Sequence, residues 1–425
     1  MDTEKTIGYI YGLRGERRPD QERFKALLSA LGDPHRAFCS VHVAGTNGKG
    51  STCAFLASIL AAHGKKTGLY TSPYLERFNE RMQIGGAPIG DDELTRAVER
   101  VRAAAEAIEP AHGAIRPYEA ITAAAFWWFA RNGVETAVIE TGVGGAGDAT
   151  NVLCPSHVAI TSISHDHTRR LGSRIEDIAR EKAGIIKRDA FVAVHPQEKT
   201  VEDVLMGRVG QTGCRAHFIR PHDVAVVEDS MRRRAFDLIC GPSALGGIEV
   251  PLLGRHQMDN AASAACIALD MGVPAEAIRR GIRRVRWPGR MELVCGEQGS
   301  AVIDGAHNPA GARALAQSLE RYFAGVPKVL VCAVSANKDA AAMARIWAKA
   351  FDGGVVATTC PRLMPAAETG RHFAAAGARV TVCEDARQAF FTAREQRGAL
   401  AVVAGSIYLA GAMRTLLRQA PGPAH

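Results

Sequence analysis

The sequence predicts an α/β protein of two unequal domains, each built on a mostly parallel sheet covered by helices. Three observations carry this expectation. Strand-like apolar runs alternate with helix-like stretches, glycine-rich turns follow the strands, and the alternation restarts after Trp287-Pro288-Gly289-Arg290. A chain of 425 residues is too long for one ordinary domain. Residues 1–286 are therefore read as the larger first domain, 287–296 as a linker and 297–425 as a smaller, Rossmann-like second domain.

Taken along the chain, Val41 to Val43 is a short strand that enters a glycine-rich turn, and an apolar helix runs from about Ser51 to Ala62. Thr136 to Ile139 is a second strand, again followed by glycines, and Val158 to Ile163 a third. Beyond the linker, Ala301 to Ile303 reads as a strand and Pro309 to Tyr322 as a helix. Lys328 to Val334, Gly354 to Ala357, Arg379 to Val382 and Leu400 to Val403 read as further strands, with helices between them. Neither a solenoid repeat nor a low-complexity segment interrupts this pattern.

Composition narrows the function classes. Hydrophobic residues at 47% and charged residues at 23% are ordinary for a soluble globular protein. The apolar run Ala120 to Ala130 contains Thr122 and stops at Arg131, short of the roughly 20 residues a membrane helix needs. Met1 to Lys5 carries acids and no apolar core, unlike a signal peptide, so a cytoplasmic location without membrane contact is expected. No Cys-x-x-Cys pair occurs among ten cysteines, which predicts reduced, mostly buried thiols and no metal cluster. The formal charge of +8 is scattered. Its densest cluster, Arg232 to Arg234, lacks interleaved aromatics and reads as a solvated surface, so small anionic substrates fit better than nucleic acid.

The most informative local signal is Val41-His42-Val43-Ala44-Gly45-Thr46-Asn47-Gly48-Lys49-Gly50-Ser51. Glycines let backbone amides curl around phosphate oxygens, and a helix N-terminus adds partial positive charge. Lys49 supplies a full charge for the outer phosphates, and a hydroxyl at Ser51 or Thr52 can face Mg²⁺ or a phosphate. The match to G-x-x-x-x-G-K-[ST] is imperfect, because Val43 stands at the first glycine and Gly50 separates Lys49 from Ser51.

With its flanks, this loop resembles the variant found in the Mur ligase superfamily, specifically the folylpolyglutamate synthase / dihydrofolate synthase family. Thr71-Ser72-Pro73-Tyr74-Leu75-Glu76-Arg77-Phe78-Asn79-Glu80-Arg81 resembles the family's TSPxLxRxNER segment. Glu140 to Gly145 followed by Asp148 to Asn151 resembles ExGxGGxxDxTN, Asp166-His167-Thr168 with Leu171-Gly172 resembles DHTxxLG, and Glu181 to Lys187 resembles EKAGIIK. His256-Gln257 with Asn260-Ala261, Trp287 to Arg290, Asp304 to Pro309 and Gly405 to Leu409 follow in family order, so the resemblance spans nearly the whole chain.

The resemblance implies a phosphate-loop domain of Mur ligase type and ATP-dependent ligation of L-glutamate to a folate-type carboxylate through an acyl phosphate. Tetrahydrofolate and dihydropteroate are the acceptors it suggests, and a monomer is the state it implies. It makes Asn47, Gly48, Lys49, Gly50, Ser51, Asn260, Arg290 and Asp304 nucleotide-binding residues. Ser72, Glu140 and His167 become ligands for two Mg²⁺ ions, Lys182 a lysine that is carbamylated, and Lys49, Lys182 and His307 the catalytic groups. Arg290 is expected to cap the γ-phosphate and Asp304 to take a ribose hydroxyl or orient Arg290. Without the motif, Lys182 in Arg180-Glu181-Lys182 reads as a solvated helix lysine and His307 as a loop-stabilising residue.

Two departures stand out. Ala146-Gly147 replace a charged residue that relatives carry near the active centre, and His165 replaces an apolar one. Phe78, Tyr118, Phe126, Trp127 and Trp128 are the aromatics available to a pterin, although Phe126 to Phe129 reads better as helix core; Arg77 to Arg81 suits an anionic tail. Two other readings are a Mur-type ligase for another acid and a non-catalytic nucleotide binder. The roughly forty residues before the loop are too few for the separate N-terminal domain of muramyl ligases. Intact Lys49, Glu140, His167 and Lys182 argue against the binder.

Overall fold

The computed structural model describes residues 2–16, 21–396 and 398–418. Its larger sheet comprises β1 (Cys39–Ala44), β2 (Thr67–Tyr70), β3 (Met82–Ile84), β4 (Ala87–Pro88), β5 (Thr136–Glu140), β6 (His157–Ile160), β7 (Phe191–Val194) and β8 (Arg215–Phe218). The strand order is β4-β3-β2-β5-β1-β6-β7-β8, parallel throughout except where β3 pairs with β2 and with β4. The chain runs to one side of β1 and then to the other, which leaves a crevice beyond the C-terminal ends of the central strands. In that register Val43 of β1 lies beside both Glu140 of β5 and Ala159 of β6.

Strand alternation divides the core. Val41, Val43 and Val138 point to one face, where the helices Lys49–Ala62, Arg255–Asp270 and Ala275–Arg283 cover them. An antiparallel sheet of β9 (Val224–Asp229), β10 (Arg234–Cys240) and β11 (Ser243–Glu249) closes the same layer. Tyr70, Ala137 and Ile139 point to the other face, against Phe126 and Phe129 of the helix Pro117–Arg131 and against the helices Thr3–Gly12, Glu22–Ala30 and Asp91–His112.

The second sheet holds β12 (Glu292–Gly296), β13 (Gly299–Ile303), β14 (Lys328–Cys332), β15 (Val355–Ala357), β16 (Val380–Val382) and β17 (Leu400–Ala404). Its order is β12-β13-β17-β14-β15-β16, with only the β12–β13 pair antiparallel. Residues 292–296, which the sequence placed in a linker, thus form a strand. The expected strand Val158 to Ile163 ends at Ile160, because Thr161 to Ile163 leave the sheet to bond with the glycine-rich loop and with Gln197. Among the described residues, no helix is long and apolar enough to cross a membrane.

Candidate active site

The loop after β1 is shaped by close approach. A Cβ on Gly45 would lie 1.8 Å from Thr161 Oγ1. Thr46 N–H donates to Ser162 O at 2.8 Å, and Thr46 Oγ1 exchanges hydrogen bonds with the backbone of Ser164. Gly48 takes φ +87° immediately before the helix, and a Cβ there would meet Asn260 Oδ1 at 2.3 Å. The helix therefore starts at Lys49, two residues earlier than the sequence suggested, and directs its N-terminal amides into the crevice. Gly50 faces Trp287 and Glu140. Ser51 is buried.

Lys49 Nζ reaches Thr46 O at 3.2 Å and Glu140 Oε1 at 3.8 Å. Glu140 is buried at the end of β5 and accepts the Ser72 N–H at 3.0 Å. Burial pushes its carboxyl above the usual range, opposed by Lys49 and by the Ser72 amide. Lys182, on the helix Ile175–Ala183, is only 4% exposed and donates to Gly45 O at 2.7 Å. Burial first and Lys49 second push its ammonium down to about 7.

The second domain closes over the loop. Asn47 and Asn308 exchange reciprocal amide hydrogen bonds at 3.1 and 3.0 Å. Asn308 also donates to Asp166 Oδ2 at 3.0 Å, and Lys338 Nζ bridges both oxygens of Asp166 at 2.7 and 2.9 Å. His307 Nε2 lies 3.7 Å from the same carboxylate while its Nδ1 contacts Gly305 O at 2.8 Å. Burial opposes ionisation of Asp166, but Lys338 and the adjacent imidazoles hold its carboxyl well below the usual carboxylate range. His167 adopts φ +51°, and burial followed by Lys338 pushes its imidazole down to about 4. His307 is likewise pushed to about 4 by burial and Lys338. Both rings are thus neutral at pH 7, a state that leaves a ring nitrogen lone pair available.

The structure brings Lys49, Glu140, Ser72, Lys182, Asn47, His167 and His307 to one crevice. Arg290 stands beside the His307 loop, with Nη1 only 2.3 Å from where a Cβ on Gly305 would be, and donates to Gly289 O. Asp304 uses both oxygens on backbone amides, those of Met291 and Ala306, so it braces the inter-sheet connection. Asn260 holds Gln257 and Thr52 and packs on Gly48. Lys338 was not singled out from the sequence. Asp166 and Asn308 lay inside recognised motifs but carried no assigned role.

The departures also find places. Ala146 donates its N–H to Glu181 O, and a Cβ on Gly184 would lie 2.5 Å from the Ala146 Cβ, so the two small residues pack the helix end tightly. His165 is exposed. Phe126 and Trp128 are core residues, whereas Tyr74 and Phe78 flank the Arg81 guanidinium at 5.2 and 5.4 Å. The Tyr118 hydroxyl is buried without a partner beside Gly142.

Comparison with known proteins agrees with this geometry. Residues 117–268 match the Mur ligase middle domain, and residues 289–407 match the Mur ligase glutamate ligase domain. The chain is 35% identical to the folylpolyglutamate synthase of Lacticaseibacillus casei, over 98% of this chain and 99% of that one. It therefore belongs to the folylpolyglutamate synthase / dihydrofolate synthase family. A dihydrofolate synthase/folylpolyglutamate synthase of Bacillus subtilis is 37% identical over 74% of this chain and 76% of its own. The Mycobacterium tuberculosis folylpolyglutamate synthase complexed with ADP superposes with a TM-score of 0.91 at 31% identity, covering 99% of this chain and 100% of that one. An FPGS–AMPPCP–folate complex superposes at 0.86 with 35% identity over 98% and 100% of the two chains. Members of this family are ATP-dependent ligases of the Mur type that join glutamate to folates.

Proposed function

We propose that this chain carries out its family's ligation in two steps at the crevice between the sheets. The acceptor carboxylate attacks the γ-phosphorus of ATP, giving an acyl phosphate and ADP. The amino group of L-glutamate then attacks the acyl carbon, loses a proton and expels phosphate. The observation that carries this reading is the convergence of Lys49, Glu140 and the loop amides on the N-terminus of the helix Lys49–Ala62, directly beneath the Asn47–Asn308 amide pair. Lys49 and Arg290 would face phosphoryl charge, and His307 would contact the transferring group. Asn47, Gly48, Gly50 and Ser51 would line the phosphates. Asn260 and Asp304 would hold the nucleotide side of the site in shape.

The donors present suit Mg²⁺, which prefers oxygen and needs few protein ligands. Glu140 has a buried carboxylate whose only described hydrogen bond comes from the Ser72 backbone, which leaves lone pairs unused. Ser72 and Glu140 would hold one ion, and neutral His167 a second. Bound with ATP, Mg²⁺ would neutralise charge on the phosphates. Lys182, with an ammonium near 7, has the neutral amine needed to add to CO₂. That reaction forms an N–C bond, releases a proton and turns a crowded cation into a carbamate anion beside Lys49.

The acceptor is a folate-type carboxylate, tetrahydrofolate or dihydropteroate. The test is ADP release by purified protein with Mg²⁺, L-glutamate and either acceptor, omitting each component in turn. Release that requires glutamate and one acceptor is expected. Absence of release with both acceptors, while ATP still binds, would reject the folate acceptor. The same reading places the chain in the cytoplasm as a monomer, so light scattering should give a single species near 45.3 kDa.

A further inference from the structure

Outside the crevice, three potential metal ligands from separate elements converge, and a carboxylate lies beside one of them. His217 lies on β8, Cys240 ends β10 and Cys266 sits in the middle of the helix Arg255–Asp270. The His217 ring nitrogen and the two Sγ atoms all lie within 4.8 Å of one another. Asp223, in the short turn Pro221–Asp223, presents Oδ2 to His217 Nε2 at 3.4 Å. His217 Nε2 is buried and has no hydrogen-bond partner among the described residues, which leaves a polar ring atom unsatisfied beside the Asp223 carboxylate.

We propose that His217, Cys240 and Cys266, with Asp223 beside His217 supplying the fourth ligand, form a structural site for a tetrahedral thiophilic divalent cation, with Zn²⁺ as the natural occupant. Ligands about 2.0–2.1 Å from a tetrahedral zinc stand roughly 3.3 Å apart, close to the His217–Asp223 separation, and thiolates about 2.3 Å from it stand roughly 3.7 Å apart. The donor set of one imidazole, one carboxylate and two thiolates selects zinc over Mg²⁺, which requires oxygen. Asp223 is anchored by the Arg220 N–H at 2.8 Å, which orients the carboxylate as an outer hydrogen bond orients a metal ligand. Cys240 and Cys266 are both buried, at 8% and 0% exposure, so a bound ion would be shielded from solvent on the thiolate side. His217 is half-buried at the rim and provides the entry side. Without a cation, the neighbouring Cys240 thiol and burial push the Cys266 thiol up, and because the thiolate is the ligand, metal binding releases protons.

The site would staple the edge of the large sheet to the small antiparallel sheet and to the helix that carries Asn260. No Cys-x-x-Cys pair announces it in the sequence, because its ligands come from two sheets and a helix. It is distinct from the Mg²⁺ donors, which are oxygen-rich and lie beyond β1 and β5.

The test uses the full chain, stripped with a chelator under reducing conditions and titrated with Zn²⁺ or Co²⁺ alone. About one zinc per chain is expected after desalting. Co²⁺ should give visible tetrahedral d–d bands and a near-ultraviolet thiolate-to-cobalt charge-transfer band, and Zn²⁺ should bleach both. Cys240→Ser should remove part of the charge-transfer band. His217→Gln, at the half-buried rim where folding is least at risk, should weaken Zn²⁺ binding by about 100-fold or more and abolish the zinc-dependent rise in Tm. Zinc below about one-tenth per chain with no cobalt thiolate band, while both thiols remain reduced, would overturn the proposal. So would peptide mapping that recovers a Cys240–Cys266 disulfide in protein that binds neither metal after reduction. Binding left unchanged in both His217→Gln and Cys240→Ser would place the ion elsewhere and equally overturn it.

Discussion

In the inner half of the crevice Lys49 lies 3.8 Å from the Glu140 carboxylate, while the buried Lys182 ammonium has the Gly45 carbonyl as its hydrogen-bond partner among the described residues and is repelled by Lys49. In the outer half Asp166 receives Lys338, Asn308 and the nearby His307, and is fully compensated. Both regions are buried and charged, yet their balances differ. An under-compensated cluster of cations is costly in the free protein and is relieved by an anionic ligand, so that cost is recovered when polyphosphate binds. A satisfied carboxylate has little to offer a ligand, but it ties residues of the first sheet's loops to residues of the second. The inner cluster belongs to binding and chemistry, and the outer one to holding the two sheets in register.

The comparison is broken most directly at its centre. Lys49→Ala should lower kcat/KM for ATP by about 10³-fold, in the range of removing one preorganised charge-stabilising group. Thermal stability should fall less than for Asp166→Asn, because leaving the buried Glu140 without its cation is offset by removing a charge that repels Lys182. A loss as large as that of Asp166→Asn would mean that Lys49 is chiefly a structural partner of Glu140. Asp166→Asn should do the reverse. It leaves Lys338 buried without its carboxylate and should cost roughly 3 kcal/mol of stability, with a smaller effect on ATP binding. Because folding depresses the Asp166 carboxyl, its contribution is present above the unfolded carboxylate range and lost as pH falls through the folded value, so the penalty of Asp166→Asn should shrink in acid. Denaturant melts at pH 7 and in acid check both the size and the sign.

Lys182 sharpens the contrast through pH. Its ammonium titrates at about 7 in the fold against an ordinary 10.5, so the unfolded chain holds the extra proton between those values. Stability from this group is therefore lowest below about 7 and rises with pH toward 10.5. In CO₂-free buffer Lys182→Met should be inactive but more stable than the parent at pH 6.5. The gain should be about 2 kcal/mol after relaxation, against a ceiling of roughly 5. That gain should fade as pH climbs. A parent protein that already matches the variant at pH 6.5 would show that the lysine is not a buried cation.

Much of the inner region was legible in the sequence because it is local. A strand, a glycine turn and a helix are contiguous, and the Lys49 loop needs no tertiary information to be seen. Glu140 was readable for a related reason, since an acid at the end of a central parallel strand projects toward the same crevice. Apart from the EKAGIIK motif, Lys182 looked solvated after Arg180 and Glu181. The helical spacing held a second signal of its burial, because Ile178 and Lys182 are four residues apart and share the buried stripe with Ala179 and Ala183. Lys338 was illegible for a different reason. It lies in the polar stretch Ser335 to Asp339 after β14, and only the order of the second sheet and its docking onto the first bring it to Asp166. The strand β12 was hidden because Cys295 and Gly296 blur its apolar pattern and its partner comes only three residues later.

The smallest effect concerns the rim, where the same logic of compensation recurs at lower stakes. Arg414 on the helix Ile407–Arg418 donates from Nε to Glu292 at 2.8 Å and from Nη1 to Glu76 at 2.6 Å, while Thr415 Oγ1 donates to the other Glu76 oxygen at 3.0 Å. The helix lies so close to this segment that a Cβ on Gly411 would stand 1.9 Å from Leu75 O. Glu76 belongs to the stretch that also carries Ser72 and the Tyr74–Arg81–Phe78 stack, so Arg414 positions one wall of the crevice from the second domain. Arg414→Ala should cost about 1–2 kcal/mol of stability, because each carboxylate retains partial access to water. It should raise KM for the acceptor by about 3–10-fold and leave KM for ATP within about twofold, since the loosened wall is not bonded to the Lys49 loop. Thr415→Ala, which removes a single neutral donor to Glu76, should move the same constant less. If KM for ATP rose in step with that of the acceptor, the rim and the inner cluster would be one cooperative unit, and the division between a binding half and a holding half would fail at this edge.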